Sequence, residues 1–222
     1  MKSRLIATKK KHPRIKAVVT AGPTVEPIDP VRFLSNFSTG EMGYQIARAC
    51  CEAGFETVLI TGPVSVAPPQ GAKTVRVNTA REMMANVLKH IKDAHCLIMA
   101  AAVCDFRPEK VSAAKIKKTA RMTLRLVKNP DILSEAGKKK GLIKIGFALE
   151  TGRAVENAIG KLKAKSLDLI ALNTKCGTEN PFGSGKKNFT LIDREMRVRK
   201  LKRISKAHLA RELVAEVERL IG

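Results

Sequence analysis

Short apolar runs of strand length alternate along this chain with segments whose apolar residues recur at helical spacing. Residues 15–21, 55–61, 74–77, 96–102, 143–148 and 167–172 read as buried strands, and 124–127 as one more. Between them, Ser38-Thr39-Gly40-Glu41 and Thr79-Ala80-Arg81-Glu82 carry the S/T-x-x-E pattern that caps a helix start. The first predicts a helix with Met42, Ile46, Ala49, Cys50 and Ala53 on one face and Gly54 as its stop. The second predicts a helix reaching about Ile91, and others are expected from about Pro130 and over 154–164. Strands that alternate with helices need crossover connections, which build a mostly parallel sheet covered by helices on both faces. The fold class expected is therefore α/β, an open, three-layer, Rossmann-like arrangement. Residues 188–193 and 198–201 then read as a C-terminal β-hairpin, and Leu209, Leu213, Val217 and Leu220 as the apolar face of a last helix. A single domain over 15–222 follows, preceded by a basic tail over 1–14, with no internal repeat and no linker.

Charge and cysteine usage narrow the function classes. The chain carries 42 basic and 20 acidic residues, a formal charge of +22, and such a field attracts nucleotides, phosphorylated metabolites and nucleic acid alike. The basic clusters at 9–11, 115–118, 138–140 and 194–203 contain almost no aromatic residues, which argues against base stacking on single strands. No specific nucleic acid is expected. Five cysteines without a CxxC pair, and only four histidines, indicate neither a zinc site nor a disulfide framework, so a reducing cytoplasm is the expected home. No apolar run approaches the roughly 20 residues that a bilayer crossing needs, so no membrane is expected.

In an open parallel sheet, ligands bind beyond the carboxyl ends of the strands, here after Val19, Ala101, Ala148 and Leu172. Sixteen residues, 22–37, separate the first strand from the first helix, where about two to six would be ordinary. Val25, Ile28, Val31, Phe33 and Leu34 make that loop too apolar for disorder, so a folded binding loop is expected. It delivers Ser38, Thr39 and Gly40 to a helix N-terminus, whose free N–H groups suit phosphate, although a plain N-cap accounts for Ser38 equally well. Asn36 beside them offers a neutral amide to a developing oxyanion or an acyl carbonyl. Asp105 follows a strand end and Lys115, Lys117 and Lys118 come within the same connection, a set suited to magnesium and phosphates together. Lys161 and Lys165 share one face of a predicted helix, as phosphate ligands or as solvated surface.

Taken in order, TAGPT, DPVRFLSNFSTGEMG, AAAVCDF, KIKK, VKNPDIL, GFALET and LDLIALN resemble the phosphopantothenoylcysteine synthetase family of coenzyme A biosynthesis, from about residue 17 to the C-terminus. The motifs of the flavin-dependent decarboxylase to which many bacterial members are fused are missing, so the resemblance is to a free-standing synthetase without flavin, and any decarboxylase partner would be a separate protein. The resemblance implies a ligase in which CTP activates the carboxylate of 4′-phosphopantothenate as an acyl-cytidylate, after which L-cysteine displaces CMP. Magnesium would accompany CTP, and the enzyme would be a homodimer in which a segment within 106–121 crosses to the second subunit.

Residue by residue, the resemblance gives Asn36 the acyl-cytidylate carbonyl and makes it, with Lys115, the catalytic pair. Ala102 joins Asn36 in binding substrate. Gly22, Ser38, Thr39, Gly40, Ala101, Asp105, Lys115, the turn Pro130, Asp131, Ile132 and Leu133, then Phe147, Lys161 and Lys165, fall on nucleotide-binding positions, and Asp105 is the metal candidate. Phe147 read without the resemblance is a core residue at a strand end. Thr39, Leu149 and the polar loop over 182–188 depart from the family pattern, which bears on nucleotide preference rather than on reaction class. Two other readings compete. An NAD(P)-dependent reductase on this fold needs a glycine-rich first turn and a catalytic tyrosine, whereas the turn reads A-G-P-T and the sole tyrosine, Tyr44, lies inside the first helix. A basic nucleic-acid-binding module would show steeply salt-dependent binding.

Overall fold

The computed structural model describes residues 14–150, 152–174, 183 and 185–222. All of the basic tail except Arg14, together with Cys176, Phe182 and Ser184, lies outside the described residues. An eight-stranded sheet forms the centre. Its parallel part consists of β1 (Lys16–Ala21), β4 (Glu56–Thr61), β5 (Lys73–Arg76), β6 (Cys96–Met99), β9 (Ile143–Glu150) and β10 (Leu169–Thr174). The expected hairpin, β11 (Lys187–Asp193) and β12 (Val198–Ile204), extends it antiparallel at the β10 side. The spatial order is β12-β11-β10-β9-β6-β1-β4-β5, so the chain moves outward from β1 in one direction and then restarts on its other side at β6. That reversal, between β1 and β6, is where an open α/β sheet leaves a crevice for ligand.

Side chains alternate across each strand, and the two faces are covered separately. Ala17, Val19 and Ala21 of β1 pack with α1 (Glu41–Glu52) and α5 (Lys206–Ile221). Val18 points the other way, into the layer formed by α2 (Ala80–His90), α3 (Ile132–Ala136) and α4 (Ala154–Ala164). The expected three-layer α/β fold is the one observed. Among the described residues no helix is long and apolar enough to cross a membrane.

The departures from expectation cluster around the crevice. Residues 22–37 contain a short hairpin, β2 (Val25–Pro27) with β3 (Phe33–Ser35), that the sequence did not announce. Ser38 does not cap α1. The helix starts at Glu41 behind Gly40, whose φ of 77° suits glycine, and no side chain caps it. Ser38 and Thr39 turn inward on the loop instead: their hydroxyls accept from the N–H of Gly40 at 3.3 Å and of Glu41 at 3.5 Å. The second capping pattern holds, with the Thr79 hydroxyl accepting from the Glu82 N–H.

The strand expected over 96–102 stops at Met99, and beyond it the chain stays beside the end of β1 through an isolated parallel bridge between Pro23 and Ala102. The Ala101 N–H donates to Thr20 Oγ1 at 3.2 Å and the Ala102 N–H to the Gly22 carbonyl at 2.9 Å. The run expected over 124–127 is also not a sheet strand. It forms β8 (Leu126–Lys128), paired antiparallel with β7 (Phe106–Pro108) in a ribbon of its own, with Phe106 and Leu126 exposed. Parallel neighbours need full crossovers, and β6 reaches its neighbour β9 only after this excursion.

Candidate active site

The crevice holds two adjoining cavities with a common wall. The first, of about 380 Å³, is bounded by Asn36, Ser38, Thr39 and Gly40 on one side and by Phe147, Asn173 and Phe189 on the other. The second, of about 580 Å³, is bounded by Lys128, the turn Pro130 to Leu133, Lys161 and Lys165. Ala101, Ala102, Val103, Asp105 and Phe147 line both. The sequence-derived candidates are thus brought together with two exceptions. Gly22, at φ 75°, lines neither cavity but lies directly under Gly40: a side chain on Gly40 would approach the Gly22 Cα to 3.2 Å. Lys115 is exposed in the segment between β7 and β8 and lines neither cavity.

The wall is set by hydrogen bonds between the two loops that leave β1 and β6. The Cys104 N–H donates to Thr24 Oγ1 at 2.9 Å, and the Thr24 N–H to the Ala102 carbonyl at 3.2 Å. Asn36 joins the same network, its Nδ2 donating to the Ala102 carbonyl at 2.9 Å and to Cys104 Sγ at 3.7 Å. Since the Ala102 carbonyl can only accept, the amide nitrogen of Asn36 faces the wall. Burial raises the Cys104 thiol above the ordinary cysteine value, so Cys104 serves as a neutral hydrogen-bonding group, not a thiolate nucleophile. Asn129, buried and missed by the sequence reading although it lies within VKNPDIL, donates from Nδ2 to the Cys104 carbonyl at 2.9 Å. This ties the turn of the second cavity to the wall.

The second cavity is electropositive. Half-buried Lys161 donates to the Phe147 carbonyl at 2.8 Å, and burial lowers its pKa against the opposing pull of Glu150 and Asp105. Lys165 pairs with Asp131 and donates to Ser134 Oγ at 3.0 Å. Burial and then Lys128 lower its pKa, with Asp105 opposing. Asp131 also caps α3, accepting from the Ser134 N–H at 3.0 Å. The i,i+4 spacing of the two lysines had signalled this shared face.

Two further residues of the first cavity had weaker signals. Asn173 sits at the carboxyl end of β10, within LDLIALN, a location already marked for inspection. Lys206, in the first turn of α5, forms an ion pair with Glu41 of α1 at 2.5 Å, and both line the cavity. The two lie 165 residues apart, and no local pattern brings them together.

Asp105 is the carboxylate common to both cavities, and no cluster of three or more His, Cys, Asp or Glu suited to a metal occurs among the described residues. Such a donor set fits magnesium arriving with nucleotide phosphates and retaining water ligands, rather than an ion caged by protein alone.

Residues 13–220 match the family model described as the DNA/pantothenate metabolism flavoprotein C-terminal domain. The coenzyme A biosynthesis bifunctional protein CoaBC of Bacillus subtilis (strain 168) is 42% identical over 206 residues, covering 91% of this chain and 51% of that protein. A protein of an unknown prokaryotic organism named cysteine/cysteine sulfinic acid decarboxylase is 38% identical over 210 residues, 93% of this chain and 58% of its own length. The chain therefore spans little more than half of these relatives. A crystal structure of the C-terminal domain of a CoaBC protein superposes with a TM-score of 0.81 at 34% identity, covering 93% of this chain and 95% of that domain.

Proposed function

The chain belongs to the DNA/pantothenate metabolism flavoprotein C-terminal domain family, and from that premise we propose that it is a coenzyme A biosynthesis ligase joining 4′-phosphopantothenate to L-cysteine at the expense of CTP. The observation that carries this reading is the pair of cavities sharing the wall of Ala101, Ala102, Val103 and Asp105. Two anionic substrates must react across a short distance, and a thin wall between a lysine-rich cavity and an amide-bearing one suits that need.

In the first step a carboxylate oxygen of the acyl substrate attacks the α-phosphorus of CTP and pyrophosphate leaves. Lys128, Lys161 and Lys165 offset the charge of the nucleotide and of the departing pyrophosphate. Asp105 would hold a magnesium ion arriving with the nucleotide, which would supply further charge neutralisation there. In the second step the amine of L-cysteine attacks the acyl carbonyl and CMP leaves with the bonding electrons. Asn36 holds that carbonyl. Its contact with Cys104 Sγ is the longer of its two, and the amide proton on that side is the one an acyl oxygen would take over. No covalent enzyme intermediate is required, in keeping with the neutral Cys104 thiol.

A homodimer belongs to the same proposal. Phe37 is 94% exposed beside Asn36, and Phe33, Phe106, Val111, Met122 and Leu126 add exposed apolar surface on the loop and ribbon around the crevice. The test mixes purified protein with magnesium, CTP, L-cysteine and 4′-phosphopantothenate and follows pyrophosphate and the amide. CTP-dependent amide formation supports the reading, and pyrophosphate without amide in the cysteine-free control supports the two-step order. Consumption of ATP instead of CTP would transfer the nucleotide preference, and consumption of neither would refute the ligase.

A further inference from the structure

Between β7 and β8 the chain runs through residues 109–125 without a helix or strand, and most of its side chains, Lys115, Lys117 and Lys118 included, are exposed. Apolar burial therefore does not hold this strap in place. Its attachment is polar and falls on the hairpin loop after β1. The Ser112 N–H donates to the Ile28 carbonyl at 2.9 Å. Four residues on, both backbone groups of Ile116 are engaged by one ion pair: its N–H donates to Asp29 Oδ2 at 3.2 Å, and its carbonyl accepts from Arg32 Nη2 at 3.2 Å.

Asp29 is built for this grip. Its side chain has no solvent exposure, and its two oxygens divide the work. Oδ1 accepts from the N–H groups of Val31 and Arg32, both at 2.8 Å, which fixes the turn between β2 and β3. Oδ2 accepts from Arg32 Nη1 at 3.1 Å and from Ile116, which fixes the strap. Burial alone would raise this carboxyl, but the N–H groups of Val31, Ile116 and Arg32 and the guanidinium together hold it below the usual carboxylate range. A clamp on the backbone of residue 116 leaves the neighbouring side chains free while determining where they start.

We infer that Asp29 is a positioning residue for Lys115: by gripping the peptide that follows it, the buried carboxylate sets the point from which this lysine approaches nucleotide phosphate. The inference rests on the nucleotide-binding role that the family resemblance implies for Lys115. Lys115 lines neither cavity, and the peptide next to it is fixed at both its N–H and its carbonyl by Asp29 and Arg32.

Asp29→Asn separates the two tasks of the side chain. An amide oxygen still caps the Val31 and Arg32 N–H groups, whereas an NH₂ in place of Oδ2 faces two donors and releases Ile116. The assay measures pyrophosphate release from CTP by wild type, Asp29→Asn, Lys115→Ala and the double variant, together with hydrogen exchange at the Ile116 amide. The expected result is faster exchange at Ile116 in Asp29→Asn and a loss in kcat/KM for CTP on the order of 10- to 100-fold, the scale of a group misplaced by about 1 Å. The double variant should be no slower than Lys115→Ala, since both changes remove one interaction. Arg32→Gln, which frees the Ile116 carbonyl instead, should reproduce the effect and serves if Asp29→Asn does not fold. Multiplying losses in the double variant, or a freed Ile116 amide with wild-type turnover, would overturn the positioning role. Wild-type turnover in Lys115→Ala would instead sink the role given to Lys115, and the inference with it, leaving the ligase reading intact.

Discussion

Replacing Gly43 by alanine sets two opposed effects against each other, and the structure decides between them. Gly43 lies in α1, where alanine in place of glycine ordinarily adds about 1 kcal/mol of helix stability. A Cβ there, however, would stand 2.5 Å from the Ala21 Cβ, 2.7 Å from the Thr20 carbonyl oxygen and 2.9 Å from the Ala21 Cα. Carbon contacts settle at about 3.5–4.0 Å, so the helix must retreat from β1 by about 1 Å. No flexible side chain can yield in its place. Overpacking of this kind costs about 1–3 kcal/mol, and contact with backbone belongs toward the upper part, so a net loss of about 1–2 kcal/mol is expected. At this chain length that lowers Tm by roughly 2–8 °C. Gly40, Glu41 and Met42 move with the helix start, so turnover should fall on the order of 100-fold as the first cavity shifts. Gly160→Ala is the control: it sits inside α4 with no atom within 4 Å of the added Cβ, and should gain about 1 kcal/mol. Urea unfolding and steady-state turnover on both variants give the test. A Gly43→Ala protein as stable and as active as wild type would refute the claim that α1 is seated on β1 by the absence of a side chain.

Asn36→Asp places a carboxylate against the Ala102 carbonyl and removes the amide protons, so pyrophosphate should be released without matching amide product. Amide formation at the wild-type rate would contradict the role given to Asn36. For Lys161, burial lowers the pKa below the ordinary lysine value of 10.5, so the unfolded chain binds its proton more tightly and wild-type stability rises with pH from the folded value up to 10.5. Lys161→Met lacks that slope, so its stability relative to wild type should be greatest near neutral pH and shrink under alkaline conditions, while its KM for CTP rises. Parallel stability curves for the two proteins would remove the argument. Tyr44 is 2% exposed and its hydroxyl finds no partner, so Tyr44→Phe should be neutral or stabilising by up to about 1 kcal/mol, with activity kept. Loss of activity in that variant would revive a catalytic tyrosine.

The alternation of strand and helix was legible because each element carries its own evidence: apolar runs such as Val58 to Ile60, or the Thr79 cap that bonds Glu82 as its pattern predicts. Pairing was not, since hydropathy does not name a strand's neighbour. Leu126–Lys128 reads like a sheet strand and turns out to pair with β7 in a ribbon. The S-x-x-E pattern at Ser38 misled for a different reason: Gly40 adopts the left-handed conformation two residues later and takes over the helix start. Site residues carried by local spacing, Lys161 and Lys165, converge as expected on one cavity. Lys206 and the grip of Asp29 on the strap were missed because they depend on partners 165 and 87 residues away.

The run Ala100-Ala101-Ala102-Val103 shows why composition alone understates this site. By hydropathy it is the tail of a buried strand, but its hydrogen bonds go to Thr20 and Gly22 at the end of β1, so it runs on past β6 as a half-buried wall of small side chains along the crevice. Reacting atoms must approach to about 3–3.5 Å, and a wall of larger side chains would hold the contents of the two cavities further apart than that. Small residues here are therefore a geometric requirement of the proposed acyl transfer. Polarity is supplied instead from either side, by the Asn36 amide on the first cavity and the lysines on the second. The hydrogen bonds from Cys104 to Thr24 and from Asn129 to the Cys104 carbonyl tie this wall to the loop after β1 and to the turn of the second cavity, which sets the amide and the lysines in place before substrate arrives.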